Sequence, residues 1–202
     1  MKAHWIALPF LLTASLLQSQ DYDTSGWFKG NTHTHSLWSD GNDFPEMIID
    51  WYREKGYNFI GLSDHNVLQE GEKWVDLETI QKKQRAIGRG AVPKCEARFG
   101  KDWIQWKTVE GKKGIVLKTL EQCREELEKP GEFFLLMAEE VSNTGNKKPV
   151  HINALNLDTV IPAIKEDDLS PREVMSQSMK AIAAESKRSG RPILAHLNHP
   201  NF

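Results

Sequence analysis

Beyond residue 4, every histidine of this 202-residue chain lies in or beside the end of a short apolar run. His33 and His35 sit at the end of an extended start at 27–35, and His65 follows the run 57–63, YNFIGLS. His151 opens a run at 150–157, while His196 and His199 fall at the close of 192–197. A further strongly apolar run, 133–141, carries Glu139 and Glu140 near its end. The intervals read as helices. Met47, Ile48, Trp51 and Tyr52 make a stripe over 45–55 that stops at Gly56, and 120–129 is halted by Pro130-Gly131. Ser170-Pro171-Arg172-Glu173 is a capping box with proline at the first helical position, opening a helix to about residue 187. Strands alternating with helices predict a parallel α/β fold. In a barrel-like version, the carboxyl ends of the strands converge on one rim, where reactive groups collect. Scattered surface histidines would not sort in this way.

The rim predicted from these positions is rich in metal-competent atoms. Two residues apart on a strand, His33 and His35 point to the same face and can chelate one ion. Asp40, in the loop that follows, can turn a carboxylate back toward them. His65 is a further ligand candidate, and its neighbour Asp64 can orient an imidazole or assist proton transfer. Of Glu139 and Glu140, alternation lets only one face the rim interior, where a buried carboxylate would be costly without a cation. With His151 and His199 the set exceeds what one tetrahedral ion requires, which points to two or three divalent ions sharing a bridging carboxylate. Taken one at a time, each cluster also reads as ordinary packing or as a turn.

The residues Asn31-Thr32-His33-Thr34-His35-Ser36 with Ser39-Asp40-Gly41, and Gly61-Leu62-Ser63-Asp64-His65-Asn66, resemble the motifs of the polymerase and histidinol phosphatase (PHP) superfamily. The resemblance continues through Glu140-Val141-Ser142, His151-Ile152-Asn153 and Asn198-His199-Pro200, and covers roughly residues 27–202. It implies a distorted (β/α)7 barrel and a site for two or three Zn, Mn or Fe ions. It also implies metal-dependent hydrolysis of phosphoesters at a metal-activated water, with a small phosphorylated substrate. By resemblance, His33 and His35 hold one ion, and Glu140 bridges it to a second held by His151 and His199. Asp40 and His65 contribute to a third position, and His196 has no counterpart. The family's last strand-end motif is missing before Phe202, and about five core strands are too few to close a barrel, so the chain is expected to be the N-terminal part of a longer one.

Residues 1–20, with Lys2 ahead of an apolar stretch too short for a bilayer span, read as a signal peptide, so export to the periplasm or beyond is expected, with no membrane span after its removal. The remaining 21–202 read as one domain. Lys+Arg 26 against Asp+Glu 28 leaves a net charge of −2, which gives no footprint for nucleic acid. Against that balance, 79–118 holds eleven Lys/Arg and three Asp/Glu with Trp103 and Trp106 among them. This basic insertion reads either as a solvated helical segment or as a rim element steering a phosphate-bearing substrate. Cys95 and Cys123 can form one disulfide or none. The rival functions are an amidohydrolase-type metal hydrolase, which also opens on His-x-His, and an inactive metal- or ligand-binding module.

Overall fold

The computed structural model describes residues 26–84, 90–164 and 168–200, so the leader at 1–20 lies outside it. In chain order the elements are β1 (Gly30–Asn31), α1 (Pro45–Glu54), β2 (Phe59–Leu62), β3 (Trp74–Asp76), α2 (Leu77–Gln84) and α3 (Ala91–Phe99). They continue with β4 (Gln105–Val109), β5 (Lys112–Val116), α4 (Leu120–Leu127), β6 (Phe134–Gly145), β7 (Lys148–Leu155), α5 (Pro171–Ser189) and β8 (Leu194–Leu197).

Five strands form a curled half-barrel sheet in the order β1-β2-β6-β7-β8. The expectation of a wholly parallel sheet is corrected here. β1, β2 and β6 are parallel, but β7 runs antiparallel to both β6 and β8. The reversal comes from a two-residue turn at Asn146 and Lys147, both at positive φ (47° and 63°), closed by the Gly145–Lys148 pair. That backbone matches the right-handed twist of the two strands and favours Asn in the first position. β6 also runs past its expected end at 141 to Gly145, so Glu140 lies within the strand and not at its tip.

The capping box expected at Ser170 is well formed. Ser170 and Glu173 make the capping box of α5, and Gly190 ends that helix in the left-handed conformation. Thr119 and Gln122 make a second box at α4. α1 and α4 pack with the sheet around Ile49, Ile60, Leu62, Leu120, Leu127, Leu135 and Ile152.

The interval between His65 and Glu140 is more than a run of helical pieces. It contains a second, antiparallel sheet, β3-β5-β4, and a second core of Ile80, Ala91, Cys95, Ile104, Ile115 and Leu117. Leu37, Trp38 and Phe44 from the loop after β1 join that core. Part of its positive charge is met by carboxylates placed outside 79–118. Lys94 pairs with Asp43, Arg98 with Asp50, Lys107 with Glu72 and Lys82 with Glu78. Four of the eleven cations are thus paired, and the segment has its own sheet and core, which favours a packed structural unit over a steering patch. Cys95 and Cys123 are buried free thiols. Among the described residues, no helix is long and apolar enough to cross a membrane.

Candidate metal centre

Because β7 runs against its neighbours, its beginning lies at the same rim as the ends of β1, β2 and β8. The reversed strand must therefore offer residues of its first half to the site, and His151, expected to open its strand, is the fourth residue of β7, while His33, His35, His65 and His199 follow theirs. Pairing beyond β1 continues through Ser63 N–H donating to the Thr34 carbonyl at 2.8 Å, and this sets His33 and His35 beside the end of β2. An isolated parallel bridge joins His65 to Glu140. The Asn66 amide, at φ 50°, donates to the Ser142 carbonyl and accepts from the Ser142 N–H, tying β2 to β6.

Glu140 is the floor of the site. Its side chain is fully buried, and five imidazoles stand over it: His33 Nε2 at 3.3 Å, His35 Nε2 at 2.9 Å, His65 Nδ1 at 3.2 Å, His151 Nδ1 at 3.3 Å and His199 Nε2 at 3.2 Å. Asn198 Nδ2 donates to Glu140 Oε1 at 2.7 Å and to Asn153 Oδ1 at 2.6 Å, while Asn153 Nδ2 donates to the Thr32 carbonyl. Glu139 faces away and accepts the Ile161 N–H at 2.9 Å. Asp40 sits on the outer lip, with Oδ1 2.7 Å from His35 Nδ1 and Oδ2 3.5 Å from His65 Nε2. Its loop approaches closely because residue 41 is glycine, since a Cβ there would meet the His35 carbonyl at 2.5 Å.

The hydrogen-bond network decides two of the tautomers. The Ser142 hydroxyl donates to the Glu140 carbonyl at 2.9 Å, so at its 2.5 Å contact with His65 it accepts from Nδ1–H. The His65 Nε2 lone pair then faces Asp40. Likewise Asp40 takes the Nδ1 proton of His35, which turns His35 Nε2 toward Glu140 and toward His33 Nε2, 3.0 Å away. A second-layer carboxylate that fixes an imidazole in this way is a recurrent feature of metal-binding histidines.

The donors outnumber what protons can reconcile. A carboxylate has about four lone-pair sites, yet five imidazole nitrogens and an amide crowd Glu140. Glu140 Oε2 and His151 Nδ1 are buried without a hydrogen bond, even though nitrogens and oxygens stand within contact distance. Such convergence of unreconciled donor atoms fits divalent cations. Three groups could each hold one: His33, His35 and Glu140; His35, Asp40 and His65; and His65, Glu140 and His151. The tautomer of His65 favours the group with Asp40.

Electrostatics agree with crowding. Burial lowers His33 and His151, and neighbouring imidazoles add to the effect, so both are held neutral. Burial opposes charge on His35 as well, but the Glu140 and Asp40 carboxylates outweigh it and raise it to about 9. Burial alone would raise Glu140, yet the His35 imidazole and the Asn198 amide hold it well below the usual carboxylate range. For metal-free protein the signs are definite. His35, raised above its unfolded value near 6.5, stabilises the fold below that pH, and the contribution is lost as pH rises through about 9, up to about 3 kcal/mol. His33 and His151 take up protons more readily when unfolded, so stability also falls as pH drops below 6.5. Glu139, which burial raises to about 7, opposes the two histidines below that pH, so the expectation for chelator-treated protein is a urea midpoint that falls between about pH 7 and 9. A midpoint rising steadily from pH 5 to 9 would contradict this charge arrangement.

His33, His35, Asp40, His65, Glu140, His151 and His199 are all brought together. His196 is not among them: it pairs with Asn153 across β7 and β8 and stays outside the three ligand groups. Nor is Asp64. Its buried carboxylate accepts from Ser36 N–H at 2.7 Å, Ser36 Oγ at 2.8 Å, Ser39 Oγ at 2.6 Å and Gln69 Nε2 at 2.8 Å. With its acceptor sites filled, Asp64 fastens the 36–39 loop and has no free lone pair for the proton-transfer role expected of it. Sequence reasoning assigned no task to Asn66, Asn153 or Asn198, although each adjoins a site histidine in its motif.

No protein-family model and no curated protein matches the chain. Among solved structures, the chain is similar to a crystal structure of a candidate metal-dependent phosphoesterase from Bifidobacterium adolescentis, with 15% identity and a TM-score of 0.31. The match covers 80% of this chain and 36% of that one, so the chain spans about a third of that protein's length.

Proposed function

We propose that this chain carries the metal centre of a PHP-type phosphoester hydrolase. The observation that carries the reading is the buried Glu140 carboxylate beneath five imidazoles, with Asp40 at the lip. His33, His35, Glu140, His151 and His199 would hold two divalent ions, with His33 and His35 on one side of Glu140 and His151 and His199 on the other. His65 Nε2 and the outer oxygen of Asp40 serve a third position beside His35. Divalent ions bound there supply Lewis-acid stabilisation of phosphoryl oxygens and lower the pKa of water. The protein's own groups orient the imidazoles through Asp40, Ser142 and Asn198, and bury Glu140 so that its charge is felt at full strength. The motifs set out above favour phosphoesters over the amides and lactones of an amidohydrolase, and the leader at 1–20 supports an exported protein.

The test is metal content by plasma mass spectrometry on the chain purified without chelator, followed by a substrate panel. At least about two equivalents of Zn, Mn or Fe are expected, falling when His33 and His35 are both changed to alanine, with turnover of a phosphomonoester or diester. Protein that stays below about half an equivalent after added metal, unchanged by those substitutions, overturns the metal centre. Metal with hydrolysis of amides or lactones alone would move the site to the amidohydrolase class, and metal with ligand binding but no turnover would mark an inactive module.

A further inference from the structure

The lip of the site is held from outside it. Asp40 has a side chain 68% exposed, and the side-chain atoms that reach it are His35 Nδ1, His65 Nε2 and Ser39 Oγ at 3.4 Å. With so few side chains against it, its direction depends on those contacts and on the course of its own backbone. That backbone is gripped on both sides by one residue of the insertion: Lys83, on α2, donates from Nζ to the Ser39 carbonyl and to the Gly41 carbonyl, the latter at 3.2 Å. The grip is part of a wider attachment. Lys73 Nζ donates to the Trp38 carbonyl, Trp38 Nε1 donates to the Lys118 carbonyl at 2.8 Å, and Leu37 and Trp38 are buried with Ile80 of the same helix. On its other side the loop presses on the His35 backbone at Gly41.

Resting on the metal reading above, we propose that Lys83 is a positioning residue for Asp40, so that the insertion governs the ion position offered by Asp40 and His65 beside His35. Charge and geometry predict opposite results for its removal. Lys83 is a cation beside a cation site, and by charge alone its loss would tighten metal binding. As the clamp on the carbonyls either side of Asp40, its loss frees the loop and weakens binding. Groups that orient metal ligands typically cost 10–100-fold in affinity when changed, and the clamp is expected to dominate.

The experiment is cobalt(II) titration of metal-free full-length chain, read by visible absorption and equilibrium dialysis. Lys83→Met should weaken one class of cobalt by about 10–100-fold and leave the others. Asp40→Asn should weaken the same class, and the double variant should be no weaker than Asp40→Asn alone, because Lys83 acts through Asp40. Lys83→Arg should recover most of the affinity, and Lys82→Met, an exposed neighbour paired with Glu78, should match the wild type. If Lys83→Met does not fold, Lys83→Gln, which keeps one donor, is read by the same criteria. Unchanged or tighter cobalt, or losses that add to those of Asp40→Asn, overturn the positioning role. A folded wild type that takes up no cobalt overturns the metal centre itself, and the role with it.

Discussion

On the proposed hydrolase reading, Glu140→Gln should prevent metal uptake and lower kcat/KM for a phosphoester by about 10³-fold or more, since several kcal/mol of transition-state stabilisation would depend on the ions held there. The substitution keeps the volume and the bond to Asn198. It removes the one buried charge that all five imidazoles share, and turns an amide donor toward nitrogens that need a ligand. Glu139→Gln is the matched control. Glu139 lies on the opposite face, and burial raises it to about 7, so near neutral pH a neutral side chain already stands there for much of the population. Metal content and steady-state kinetics of both variants decide the matter. Retention of ions and turnover by Glu140→Gln would place the chemistry elsewhere.

The second large effect falls on stability. Asp64→Ala takes the main acceptor from four donors, Ser36 N–H, Ser36 Oγ, Ser39 Oγ and Gln69 Nε2, of which only Ser39 Oγ and Gln69 Nε2 keep a longer contact, to Asp40 and to the Leu62 carbonyl. Removing a buried carboxylate from such a network costs about 3–5 kcal/mol, a fall of roughly 10 °C in Tm for a chain of this size. Thermal unfolding measures it directly. The pH–rate profile separates the two roles that sequence and structure give this residue. A positioning role lowers Tm and leaves the shape of the profile intact, whereas a proton-transfer role would delete one limb of it with Tm unchanged.

Much of this site is legible in the sequence because its ligands are chemically distinctive and lie where apolar runs end. His33 and His35 needed only the two-residue repeat of an extended chain, and four of the five strands of the main sheet were marked by their apolar content, β1 at Gly30–Asn31 being the exception. Strand direction was not. The clue was Asn146-Lys147 between two runs, a hairpin signal overshadowed by the helix–strand alternation elsewhere. The role of Asp64 was hidden for another reason: its partners Ser36, Ser39 and Gln69 are polar residues of unremarkable spacing, and only folding brings their donors to one carboxylate. The partial offset of the insertion's charge was not legible, because Asp43, Asp50 and Glu72 lie outside the segment in which the lysines and arginines were counted.

The hairpin between β6 and β7 also orders the assembly of the site in time. Glu140 and His151 are eleven residues apart along the chain, whereas His33 and Glu140 are 107 apart. Joining the distant pair costs about 2 kcal/mol more chain entropy than joining the near one, and local pairs meet sooner during folding. The Glu140 carboxylate and the His151 imidazole thus meet within a single hairpin at the smaller entropic cost, and the histidines from the beginning of the chain are expected to join them later.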